Sequence, residues 1–209
     1  MTDIRSAVAG ERTELADLLA GLSEDDWDRE TLCSGWRVRE LVAHITMPYR
    51  ISPPRFVLGL IRSGGKFDRY ADRQARLDAS ALSSVELVDC LRQNVNHPWK
   101  PPGGGYEGAL SHDVIHGLDV TVALGIDRQV PAERLHVILD KLNPRQLKYF
   151  GVDLTGIQLQ ATDLDWTYGT GVPLTGKAQD LLLVLSDRTL PPDHLSGAAA
   201  GRFTAGVTR

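Results

Sequence analysis

Only two cysteines, Cys33 and Cys90, occur in the 209 residues, so no disulfide framework braces the chain. No apolar run approaches the roughly 20 residues that a membrane-spanning helix needs. The start, Met1-Thr2-Asp3-Ile4-Arg5, lacks the basic-then-apolar pattern of a secretory signal. An excess of charge is missing too: 23 basic and 27 acidic residues leave a formal net charge of −4, mixed along the chain. That offers no footprint for nucleic acid or for a membrane surface. There is no Gly-x-Ser-x-Gly, no His-Glu-x-x-His, no P-loop, no dinucleotide fingerprint and no internal repeat. Gly103-Gly104-Gly105 follows prolines, with neither the strand nor the lysine of a phosphate cradle. The expectation is a cytoplasmic protein, monomer or homodimer, with no nucleic-acid or membrane partner and length enough to bury its own core.

Helical patterning dominates what is there. Ile4, Val8, Leu15, Leu18, Leu19 and Leu22 recur at helical spacing over Asp3 to Leu22. Ser23 and Asp26 have the spacing of a capping box ahead of a short turn carrying Trp27. The turn Thr31 to Trp36 feeds a second helix whose stripe is Val38, Leu41, Val42 and Ile45, and Pro53 and Pro54 are expected to end it. Weaker helical patterns cover Arg55 to Ile61, Phe67 to Leu77 and Val85 to Val95. Pro98, Pro101, Pro102 and the three glycines make a loop. From Glu107 to Leu124 the only further charges are Asp113 and Asp119, and apolar residues occupy more than one side, which predicts a helix buried all round. Gly125 closes it. Pro131 opens another helix, bearing Leu135, Ile138, Leu139 and Leu142, which Pro144 stops.

After Tyr149 the period changes. Ile157, Leu159 and Ala161 alternate with Gln158, Gln160 and Thr162, as in a half-buried strand. Asp165 to Gly171 suits a hairpin with Val172 to Thr175 as its return strand, and Lys177 to Arg188 is again helical. The expected architecture is mainly α: a helical bundle over residues 1–150 and a small α/β region over 151–209.

His112 and His116 stand four apart on the apolar helix, so both imidazoles can reach one ion. Asp119 falls on the same side. A third ligand has to come from another helix, and His44 flanks the apolar stripe of the second one; bundles build metal sites in this way. Spacing alone leaves a second reading open, that these are hydrogen-bonded core histidines. His97, His136 and His194 read as structural or exposed. Cys33, beside Trp36 and Val38, reads as a packed thiol rather than a reactive one.

The run Thr31-Leu32-Cys33-Ser34-Gly35-Trp36-Arg37-Val38-Arg39-Glu40-Leu41-Val42-Ala43-His44 resembles the Cys-x-Gly-Trp-x-Val-Arg-x-Leu-Val-x-His block of the mycothiol-dependent maleylpyruvate isomerase family, within the wider DinB-like group of four-helix metalloproteins. His112 to Asp119 resembles its third-helix block. Asp163 to Trp166 and Gly176 to Arg188 resemble its C-terminal region. The resemblance implies a DinB-like four-helix bundle with His44, His112 and His116 as ligands of a divalent metal, zinc first and nickel second. It also implies a thiol cosubstrate, mycothiol or similar, that is transferred to, or assists isomerisation of, a small electrophile. The rival reading is a non-catalytic metal-binding or regulatory protein on the same fold.

Two positions depart from the family pattern. The position of His112 is a glutamate in the isomerase proper, whereas three neutral imidazoles leave an ion at full charge and look more like general DinB-type thiol transferases. Arg37 stands where a threonine suited to N-capping is frequent. A free thiol of pKa about 8.5 is only about 3% thiolate at neutral pH, so deprotonation supplies about 30-fold at most and positioning must supply the rest. Arg188 and Arg202 are the guanidiniums at hand for anionic groups, though the solvated state is the expected one for each.

Overall fold

The computed structural model describes residues 3–142 and 150–205. It divides by compactness into residues 1–116 and 117–209, a division that falls inside one helix, α7 (Gly105–Leu124).

In the first unit α1 (Ile4–Ala20) buries Ala7, Val8, Leu15, Ala16 and Leu19 and packs on α6 (Ser84–Gln93). Ser23 and Asp26 cap each other across α2 (Glu24–Trp27), the expected box, and Trp27 is buried. The stripe predicted for α3 (Val38–Arg50) is fully buried at Val38, Leu41, Val42 and Ile45, where α3 packs on α5 (Phe67–Ala81) and α6. Burial of each such side chain is worth about 1.5–3 kcal/mol. At its start Glu40 accepts from the backbone N–H of Arg37 at 2.9 Å and from the Arg37 guanidinium at 2.6 Å. That is the returning half of a capping box; the Arg37 side chain has no acceptor and so does not cap the first helical N–H groups as a threonine would.

Pro48 lies inside α3. Having no N–H, it leaves the carbonyl of His44 without its helical donor. Pro53 and Pro54 do more than end α3, because they form the first turn of α4 (Pro53–Arg62). A first turn has no use for the missing N–H. Gly59 lets α4 lie on α5: a Cβ there would come within 2.2 Å of the Tyr70 ring.

In the second unit α8 (Ala132–Leu139) follows Pro131 as expected, while Leu142 lies beyond its end. The expected stop at Pro144 and the change of period at Tyr149 lie outside the described residues. Strands β1 (Ile157–Ala161), β2 (Thr167–Gly169), β3 (Val172–Gly176) and β4 (Leu195–Ser196) form one sheet in the order β2-β1-β3-β4. The hairpin is that of β1 with β2. The stretch expected to be its return strand is instead β3, which pairs with β1 in parallel on the other side, Ile157 opposite Val172. To reach that side the chain crosses the start of β1. Val172 N–H donates to the Gly156 carbonyl at 2.9 Å, and any Cβ on Gly171 would strike that carbonyl. α9 (Ala178–Leu185) lies on β1, β3 and α8 and buries Leu181, Leu182 and Leu185. Among the described residues no helix is long and apolar enough to cross a membrane.

Candidate metal centre

His44 sits in the middle of α3, and His112 and His116 lie one turn apart on α7. All three belong to the first unit, and each offers a ring nitrogen within 4.8 Å of the others. The His44 and His112 Nε2 atoms are 3.3 Å apart. Two nitrogens each about 2.0–2.1 Å from one tetrahedral ion would stand about 3.3–3.4 Å from each other, so this pair is spaced for a shared cation. The rings meet edge to face or tilted, with centroids 4.6 to 5.3 Å apart.

His44 is buried, and its Nδ1 has no hydrogen-bond partner among the described residues. One nitrogen unpaired and the other aimed at a second imidazole is a costly use of a buried ring. A cation taking both Nε2 lone pairs would settle the facing pair, with the His44 proton left on Nδ1. Burial, then the neighbouring His116 and His112, hold the His44 pKa well below its ordinary value. The ring is therefore neutral at pH 7, the form that ligates metals.

Asp113 orients His112. The His112 Nδ1 lies 2.9 Å from Asp113 Oδ1, and a carboxylate can only accept there, so Nδ1 carries the proton and the Nε2 lone pair faces His44. The other Asp113 oxygen accepts from Arg12 Nε at 2.8 Å, both side chains having no solvent exposure. Arg12 continues to the His97 carbonyl at 2.9 Å. Burial works to raise the Asp113 pKa, but the hydrogen bond from His112 and the Arg12 guanidinium beside it outweigh it and the net shift is downward. A continuous polar path thus runs from α1 through Asp113 to the imidazole.

Two indoles flank the cluster. Trp36 is 5.0 Å from the His44 ring and is anchored by its Nε1, which donates to Asp72 Oδ1 at 2.8 Å. Trp99 meets the His112 ring edge-on at 5.1 Å. The turn before α3 therefore sets His44 through Trp36. Cys33 takes part through its backbone, its carbonyl accepting from Trp36 N–H at 3.0 Å.

The three histidines singled out by spacing come together. Asp113, which orients one of them, was legible only as a charge on an otherwise apolar helix, because neighbours in a helix point different ways. The signal was that a buried acid needs a partner. His97 is a structural residue, its Nδ1 accepting from Trp99 N–H and its ring lying 5.0 Å from that of Tyr49. His194 Nδ1 is 3.2 Å from Asp180 Oδ1. Arg188, expected in its solvated state, is instead largely buried and forks onto Asp119 at 2.8 and 2.9 Å. Arg202 is partly exposed and reaches Asp153.

Residues 8–87 match the model of the mycothiol maleylpyruvate isomerase N-terminal domain. That match includes the Cys33 to His44 block and stops short of His112 and His116. A crystal structure of a mycothiol-dependent maleylpyruvate isomerase superposes with a TM-score of 0.60 at 13% identity over 94% of this chain and 92% of that one. A histidine-to-alanine mutant of such an isomerase gives 0.59 at 12% over the same shares. No curated protein matches by sequence. At such identities the structures speak for the fold alone: residues 8–87 are similar to the mycothiol maleylpyruvate isomerase N-terminal domain, and the chain as a whole has that isomerase's fold.

Proposed function

We propose that this protein is a metal-dependent enzyme that uses a low-molecular-weight thiol of the mycothiol type, either transferring it to a small electrophile or using it to assist an isomerisation. The observation that carries the reading is the trio His44, His112 and His116, with two ring nitrogens 3.3 Å apart and one imidazole oriented by a buried carboxylate. The family whose model residues 8–87 match supports the thiol.

The three histidines would hold the ion, zinc before nickel by the family resemblance, since imidazole donors suit either. A divalent ion bound there would lower the pKa of a thiol or water that approached it. The protein's own residues do the rest. Asp113 keeps His112 in one tautomer, and Arg12 keeps Asp113 charged. The Trp36 and Trp99 rings wall the imidazoles and thin the water around them. Three neutral imidazoles leave the full charge of the ion available, which favours thiol transfer to an electrophile over the isomerase chemistry associated with a glutamate ligand.

The test is a metal analysis of purified protein followed by a thiol-dependent assay on the metal-loaded form, with maleylpyruvate and with a simple electrophile as substrates. Stoichiometric metal with thiol-dependent turnover supports the proposal. Bound metal with no turnover on either substrate overturns the enzyme in favour of a non-catalytic metal-binding protein, and no bound metal overturns both.

A further inference from the structure

A concavity that none of the three histidines lines lies among the end of α3, α4 and α5. It has a volume of about 490 Å³ and is lined by four arginines, Arg50, Arg55, Arg62 and Arg73, against a single carboxylate, Asp78. Asp78 is already engaged, 2.8 Å from Arg50 Nη1 and accepting from Gln74 Nε2 at 2.8 Å. Arg50 also donates to the Ala43 carbonyl at 2.8 Å. The side chains of Arg55, Arg62 and Arg73 are exposed and make no ion pair or hydrogen bond among the described residues. Other arginines of this unit do find acids: Arg37 with Asp28 and Glu40, Arg76 with Asp72, Arg92 with Asp17. Three uncompensated guanidiniums around one hollow repel each other, whereas Arg37, Arg76 and Arg92 are each compensated by an acid.

We propose that this cavity binds a phosphate-bearing anion, at a site separate from the histidine cluster. Guanidiniums bind oxyanions through forked donors. A carboxylate accepts mainly in one plane, whereas a phosphate monoester has three terminal oxygens and a charge of about −1.5 to −2. It therefore answers arginines arriving from two helices better. The volume falls in the range of small-molecule sites and exceeds that of a lone phosphate, so the ligand has a body. Leu58 and the Tyr70 ring supply its apolar wall. The phosphate can come from a soluble ester or from a lipid headgroup, since Val57, Leu58 and Ile61 are exposed on the same helix.

The experiment titrates full-length, metal-loaded protein with pyrophosphate by calorimetry, with citrate at matched ionic strength as the carboxylate probe. In parallel the protein is pelleted with phosphatidylcholine vesicles containing phosphatidic acid. The double variant Arg62→Gln/Arg73→Gln removes two exposed charges, so circular dichroism should show an unchanged fold, and Arg29→Gln is the surface control. Saturable pyrophosphate binding that weakens about tenfold or more in the double variant, and not in the control, supports a soluble ligand. Pelleting with the vesicles that is lost in the double variant supports a lipid source for the same chemistry. The proposal is overturned if neither probe binds, if the double variant binds as the wild type does, or if citrate binds as tightly as pyrophosphate.

Discussion

Helix α7 carries two buried acids six residues apart, Asp113 in the first unit and Asp119 in the second, each met by an arginine of its own unit. Arg188 forks onto Asp119 and takes both carboxylate oxygens. Arg12 approaches Asp113 through Nε alone and leaves the second oxygen to His112. Each carboxylate removes the cost of a buried charge, but Asp113 also transmits orientation to an imidazole. One pair is therefore expected to matter for stability alone, while the other matters for stability and for the metal.

The largest expected effect treats the two pairs alike. Asp113→Ala and Asp119→Ala each leave an arginine uncompensated, and each should cost about 3–5 kcal/mol in urea unfolding. A loss below about 1 kcal/mol at either site would mean that water already solvates the pair. Next come the ligands. His44→Ala or His116→Ala should abolish stoichiometric metal binding while helical circular dichroism is retained, since the core stripe of α3 is apolar; an unchanged metal content would remove His44 or His116 from the site. The milder Asp113→Asn separates the two acids more finely: metal affinity should fall about 10–100-fold by competition with a chelator, with no such fall for Asp119→Asn. Equal effects would erase the distinction drawn here.

A pH series sharpens it further. The folded-state pKa of Asp113 lies below the ordinary carboxylate value, so its contribution is present above that value and is lost as pH falls through the lower one. Acid unfolding of metal-free protein should therefore lose part of its steepness in Asp113→Asn. The smallest effect is expected at Cys33→Ser, within about 0.5 kcal/mol in stability and with metal affinity unchanged, because the residue engages Trp36 through its backbone. A large loss of thiol-dependent activity in that variant, with metal still bound, would instead make the thiol a participant.

What the amino-acid sequence determined by itself is whatever rests on local spacing. Helical periodicity located α1, α3 and α7, the Ser23–Asp26 box started α2, and the four-residue step placed His112 and His116 on one face, because backbone geometry alone sets these relations. The alternation at Ile157 marked a strand for the same reason, and the block ending at His44 pointed to the family whose model residues 8–87 match. Tertiary structure decided which distant residues meet. Spacing could not tell that Val172 turns to the far side of β1, since both sides present equivalent backbone donors and acceptors. Nor could it tell that Arg12, 101 residues away, neutralises Asp113, or that Arg188 is spent on Asp119. A buried charge announces that it needs a partner, but only the packing of helices chooses the partner.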